Sequence, residues 1–262
     1  IMEFYPEIGV TRDVASRPER SCKAIRYLFS VRYYFDEVTP DNLEPEGIDL
    51  PGFSYYDTQN GFHIYKNDYA LPMGFTFDTY VSRSQWETYS ESDRCNLLLR
   101  ALVLEDDAVE TYQKDMQKLP DAVHQMSDED LLAECTERTK TACDSFTYNS
   151  KGFHTTISTD HANLVFFSVP WEEGWSAEVN GEPVAIEKAD IGFMAVPVPA
   201  GDNEITFTYH TPGLKAGALL SLGGLVLFAG YLTVAGIYNK RHPNPKTESI
   251  CCVDYSTEET AN

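Results

Sequence analysis

The residues best equipped for chemistry lie together in the stretch Trp171-Glu172-Glu173-Gly174-Trp175. Exposed indole rings beside carboxylates can stack on sugar rings and accept hydrogen bonds from hydroxyls. The same rings can equally plug a core, because Trp175 opens an alternating strand and must face one side of it. Trp171, Glu172, Glu173 and Trp175 are therefore the candidate substrate-binding set. A general acid–base pair made of Glu172 and Glu173 is disfavoured, since adjacent strand residues point to opposite faces. The run Glu105-Asp106-Asp107 lacks the spaced ligands and glycine of a calcium loop and reads as a solvated acidic stretch. The histidines are scattered without an HExxH pattern, and neither a GxSxG elbow nor a GxGxxG or GxxxxGK[ST] phosphate loop occurs. No catalytic residue is assigned. The 6 cysteines form no CxxC pair, so no metal site and no cofactor are expected; Cys135 and Cys143 read as small core residues.

These residues need elements to position them. Between Phe146 and Thr211, short apolar or alternating runs are punctuated by Asn149-Ser150-Lys151-Gly152, Asn180-Gly181 and Pro199-Ala200-Gly201-Asp202. The pattern predicts strands at His154–Thr159, Asn163–Val169, Trp175–Val179, Pro183–Lys188, Gly192–Val198 and Glu204–Tyr209. Asn180-Gly181 is a hairpin signal, because both central residues of a type I′ turn need positive φ. Ser127 followed by Asp128-Glu129-Asp130 predicts an N-cap and a helix over 128–142. A second helix is expected over 93–101, and 108–119 reads as an amphipathic helix or linker. Tyr27–Phe35 reads as a strand. The expected fold class is an α+β ectodomain containing a C-terminal antiparallel β-sandwich, Ig-like or jelly-roll-like, followed by one transmembrane α-helix. The organisation is drawn as a mixed α/β region over 1–110, a helical connector over 111–144, the sandwich over 145–212, the membrane helix over 216–238 and a tail over 239–262.

From Ala216 to Tyr238 the chain runs 23 residues without a charge, which as a helix covers ~34 Å against a hydrocarbon core of about 30 Å. Lys240, Arg241 and Lys246 follow it closely while Lys215 alone precedes it, so the tail is expected in the cytoplasm and residues 1–214 outside. Small residues recur on this helix at Gly217, Ser221 and Gly224, and at Ala216, Gly223 and Gly230; such positions allow close helix approach, but are also common in any membrane span. The net charge of −21 excludes nucleic acid as a partner, because it would repel a phosphate backbone. No secretory signal precedes Glu3, and an export route is expected from upstream transmembrane helices of a longer protein. The bilayer and those helices are the expected partners.

Three segments together resemble the YfhO family of bacterial polytopic membrane proteins. They are Ile25-Arg26-Tyr27-Leu28-Phe29-Ser30-Val31-Arg32-Tyr33-Tyr34, similar to a strand following the family's membrane region; Ile64-Tyr65-Lys66-Asn67-Asp68-Tyr69-Ala70-Leu71-Pro72-Met73-Gly74-Phe75; and Val169-Pro170-Trp171 through Gly174-Trp175 and Asn180-Gly181 into Gly217. The resemblance covers the C-terminal part of a family member. It implies a GT-C-like glycosyltransferase in the bacterial cell membrane, using a lipid-linked sugar donor to modify envelope glycan such as teichoic acid. The family's catalytic carboxylate is expected in an early external loop that this segment does not contain. The alternative is a single-pass anchored glycan-binding or structural module without catalytic activity.

Overall fold

The computed structural model describes residues 3–10, 22–120 and 126–242. They form two compact units, one ending at His210 and one beginning at Thr211. The elements of the first unit begin with helices α1 (Phe4–Glu7) and α2 (Ala24–Leu28), then strands β1 (Tyr33–Glu37), β2 (Phe53–Gln59), β3 (Phe62–Asn67), β4 (Phe75–Thr76) and β5 (Thr79–Ser82). Next come α3 (Arg83–Trp86), α4 (Glu91–Leu97), β6 (Leu102–Leu104), α5 (Asp106–Tyr112), β7 (Gln117–Lys118) and α6 (Asp128–Lys140). The unit closes with β8 (Ser145–Asn149), β9 (Gly152–Thr159), β10 (Asn163–Pro170), β11 (Trp175–Val179), β12 (Glu182–Val184), β13 (Glu187–Ala189), β14 (Phe193–Val198) and β15 (Gly201–Tyr209).

Three sheets result, in the orders β1-β3-β2, β4-β10-β14-β13-β6-β5-β7 and β12-β11-β15-β9-β8. Pairing is antiparallel except where β5 lies parallel to β6 and β7, joined by the short helices α3, α4 and α5 as parallel neighbours require. The chain is thus a mixed α+β protein with mostly antiparallel sheets. The β10–β14 pair is its central wall. Leu164, Phe166, Phe193 and Ala195 enter one core with Phe4, Tyr27, Phe77 and Trp86. Their neighbours Val165, Phe167, Met194, Val196 and Val198 enter another, with Phe153, Ala177, Ile205 and Phe207 of the five-stranded sheet. The period-two alternation of side chains in a strand is what divides them.

Residues 145–212 do not close on themselves. Strands β10, β13 and β14 join a sheet whose other members, β4 to β7, come from residues 75–118. The expected strand Pro183–Lys188 is broken: β12 pairs with β11, whereas β13 pairs with β14 and β6. The strand expected over Tyr27–Phe35 is also corrected. Ala24, Ile25, Tyr27 and Leu28 are all buried, and a helical turn can pack all four into one core. Ser30, with φ of 55°, ends that turn, and the strand begins only at Tyr33. Helix α6 starts where expected, on a capping box between Ser127 and Asp130. The 93–101 helix is α4, shifted toward its N-cap Ser90, and only Asp106–Tyr112 of the acidic 105–119 region is helical.

The second unit is one helix, α7 (Leu214–Arg241), of 28 residues. Its most apolar stretch has mean hydropathy 2.0 and none of it is buried within the protein. Both small-residue faces named above are exposed. Lys246 and the tail beyond His242 lie outside the described residues.

Candidate functional site

Two cysteines separated by 73 residues, Cys22 and Cys95, form a disulfide with a Cα–Cα distance of 5.5 Å. Sequence spacing carried no sign of this pairing. Cys135 and Cys143 are free and buried; burial pushes their thiols up to about 12 and about 11, which keeps them protonated and unreactive at neutral pH. Among the described residues, no group of three His, Cys, Asp or Glu side chains is placed to hold a metal ion.

Trp171, Glu172 and Glu173 sit in the connection between β10 and β11, and Trp175 is the first residue of β11. A turn there is closed by the Trp175 amide, which donates to the Glu172 carbonyl at 3.1 Å, and Trp171 is tied down by its amide donating to the Gly192 carbonyl at 2.9 Å. Gly174 occupies the tight point. A Cβ there would lie 2.5 Å from the His210 carbonyl oxygen and 2.6 Å from the Tyr209 ring, while the His210 amide donates to the Gly174 carbonyl at 2.8 Å. The Gly-Trp pair follows: glycine lets two backbones meet, and tryptophan covers the junction.

Trp175 lies opposite Tyr209 in the β11–β15 register, with ring centroids 5.0 Å apart and planes at 60°. Its other side packs edge-on against Phe153 at 5.7 Å. It is half-buried and packs at the rim of the second core. Beside it lies an open groove of about 540 Å³, lined by Tyr148, Lys151, Pro170, Glu172, Trp175 and Tyr209 among others. The structure therefore brings Glu172 and Trp175 to one groove. Trp171, 38 % exposed, and Glu173, also exposed, are not among its lining residues.

Tyr148, Lys151 and Tyr209 are the groove residues that sequence reasoning missed. Tyr148 is on β8, a strand not anticipated, and is 82 % exposed; Lys151 belongs to the recognised turn 149–152, where its amide donates to Asn149 Oδ1 at 2.7 Å. The available signal was proximity of aromatic residues to that turn. Chemically the groove offers aromatic faces, two phenol hydroxyls, one ammonium and one carboxylate. Glu105-Asp106-Asp107 resolves as the N-terminus of α5, with Asp106 accepting from the Ser84 amide and hydroxyl at 3.1 and 3.0 Å.

No solved structure matches this chain. Among proteins, YfhO of Bacillus subtilis (strain 168), itself described as uncharacterized, is 30 % identical over 121 residues; the match takes in 46 % of this chain and 13 % of that protein. The chain thus corresponds to a small part of the length of this relative. The family model described as "Bacterial membrane protein YfhO" matches residues 1–134 and 122–221, running through the three sheets and into α7. The chain belongs to the YfhO family of bacterial membrane proteins.

Proposed function

We propose that this chain is the extracytoplasmic C-terminal segment and last transmembrane helix of a GT-C-type membrane glycosyltransferase, which transfers sugar from a lipid-linked donor to envelope polymers such as teichoic acids. The observation that carries this reading is the family match running from the ectodomain into α7. Three features support it. The Cys22–Cys95 disulfide suits a domain on the oxidising side of a membrane. Basic residues follow the helix at Lys240 and Arg241, which is the cytoplasmic bias. The groove at Trp175 presents aromatic and hydrogen-bonding groups fit for a saccharide, and the core shared between the seven- and five-stranded sheets gives it a rigid, sandwich-like support.

In this reading catalysis belongs to upstream parts of the longer protein, and Glu172 and Trp175, flanked by Trp171 and Glu173, contribute acceptor contacts. The test is sugar transfer by the full-length protein in lipid nanodiscs, with radiolabelled lipid-linked donors and purified teichoic acid. Label entering the polymer supports the proposal, with Trp175→Ala raising the KM for acceptor more than it lowers kcat. No transfer with any donor, and an upstream reading frame lacking further membrane helices, would overturn it. The groove itself favours one alternative, an anchored module that binds glycan without catalysis; saturable glycan binding by the same protein without turnover distinguishes the two.

A further inference from the structure

We propose that strand β8 pairs with β8 of a second copy of this chain, antiparallel and centred on Thr147, so that two five-stranded sheets become one continuous sheet. The pairing involves the first unit alone and does not depend on glycosyl transfer.

A sheet edge offers a row of unpaired amides and carbonyls, and proteins blunt such edges with charge, proline, bulges or brevity. The other outer strands of this protein are blunted in these ways. β4 and β7 have two residues each, and β12 has three, among them Glu182 and Pro183. β1 ends on Asp36-Glu37, and β2 is bulged between Tyr55 and Asp57. β8 is Ser-Phe-Thr-Tyr-Asn, five residues with neither charge nor proline, and its register with β9 runs unbroken from Ser145↔Thr156 to Asn149↔Gly152. Its other side meets no strand among the described residues.

The order of residues suits this edge to a copy of itself. The turn Ser150-Lys151 joins Asn149 to Gly152, so that pair closes the hairpin with hydrogen bonds, and bonding alternates back along the strand. Ser145, Thr147 and Asn149 spend their main-chain groups on β9, which leaves those of Phe146 and Tyr148 at the open edge. An antiparallel copy centred on Thr147 sets Phe146 opposite Tyr148 on both sides of the two-fold axis, Ser145 opposite Asn149, and Thr147 opposite itself. Each Phe146–Tyr148 pair exchanges two main-chain hydrogen bonds and lays one ring beside the other on one face of the joined sheet, the kind of cross-strand contact that stabilises sheets. The Tyr148 ring, 82 % exposed in a single copy, is covered by this pairing. Phe146 is held ready for it by stacking on Phe153 of its own copy, with ring centroids 5.2 Å apart.

The joint itself is uncharged, whereas each chain carries a net charge of −21. Two copies therefore repel at a distance, and salt favours the pair by screening that repulsion. Five residues a side compare with the roughly 20–30 of a stable interface, so the association is weak and reversible.

Cysteine crosslinking of the full chain in detergent micelles tests the register, in a Cys251→Ser/Cys252→Ser background that removes the tail thiols. Thr147 is exposed, so replacing it spares the fold. Across the two-fold axis its Cα atoms form a non-hydrogen-bonded pair about 4.5 Å apart, within reach of a disulfide. Thr147→Cys should give a disulfide-linked dimer on air oxidation, more of it at higher salt, and Ser145→Cys, whose copies lie four residues out of register, roughly tenfold less. Without added cysteines, Thr147→Lys sets two ammonium groups face to face and should weaken the dimer seen by sedimentation velocity about tenfold, at an unchanged Tm. A chain that stays monomeric at every concentration, crosslinking as efficient at Ser145→Cys as at Thr147→Cys, or a dimer that Thr147→Lys leaves intact would each overturn the proposal. Sugar transfer is read separately, so a monomeric protein leaves the proposed glycosyltransferase function untouched.

Discussion

Asp190 accepts a hydrogen bond on Oδ1 from the amide of Val103 at 2.8 Å, and its own amide donates back to the Val103 carbonyl at 2.9 Å. This reciprocal clasp fastens the β13–β14 turn to β6. Its second carboxyl oxygen is buried without a partner, and burial pushes the Asp190 carboxyl up to about 7, with the Val103 amide opposing the shift.

The pH dependence follows from that shift. A carboxyl with a folded pKa near 7, against an unfolded value of about 3.9, holds its proton in the folded state where the unfolded chain has lost it. Stability from this group is therefore greatest at acid pH and declines as pH rises from about 4 toward 7. Denaturant titrations of the wild type should show that decline, and Asp190→Asn, which needs no proton to stay neutral, should flatten it. An unchanged slope in the variant would mean that Asp190 is ionised throughout.

The Cys22–Cys95 bond closes a loop between residues 73 apart in sequence, for which the chain-entropy argument gives roughly 4 kcal/mol of stabilisation. Thermal melts with and without reductant should differ by many degrees. Cys22→Ser/Cys95→Ser should melt at the reduced temperature under both conditions.

Glu7 joins segments far apart. Its carboxylate meets Arg83 and Arg94, each at 2.7 Å, and accepts from the Trp86 indole N–H at 3.2 Å, while the Arg94 guanidinium lies 5.6 Å from the Trp86 ring centre. Burial alone would raise its pKa, but the hydrogen bonds and charges of Arg83, Trp86 and Arg94 hold it below the usual carboxylate range. Its contribution is present above the unfolded pKa and is lost as pH falls through the lowered one. Glu7→Gln should cost about 2 kcal/mol at neutral pH and reduce acid sensitivity, as read by chemical denaturation at pH 7 and near pH 3.

Two glycines separate steric from conformational demands. At Gly181, with φ of 82°, an added Cβ meets nothing within 4 Å, so Gly181→Ala should cost only the left-handed backbone preference, about 1 kcal/mol. At Gly174 the Cβ would collide with the His210 backbone, and Gly174→Ala should cost about 1–3 kcal/mol and disturb Trp175. Near-ultraviolet circular dichroism should change for Gly174→Ala and stay put for Gly181→Ala.

Local chemistry was the legible part of this fold. Asn180-Gly181 turns with φ of 55° and 82°, as its residue types demand, and Ser127 caps α6 through the Asp130 amide at 3.1 Å. Asn60-Gly61 carries the same signal, with φ of 52° and 81°, and joins β2 to β3 in the loop-rich first third. What sequence could not reveal was partnership at long range. Nothing local tells β13 to leave β12 and pair with β14 and β6, nor Cys22 to find Cys95. The site was half legible for the same reason: Glu172 and Trp175 lie three residues apart in sequence, whereas Tyr148, Lys151 and Tyr209 reach the groove only through strand register.

The wall formed by β10 and β14 has a consequence for how the protein comes apart. Successive residues such as Phe166 and Phe167 are shared out between two cores, so neither core can dissolve while this ribbon keeps its register. The two should melt in one transition, and the amides of Val165 to Phe167 and Met194 to Val196 should be the slowest to exchange with deuterium, opening only when the whole first unit does.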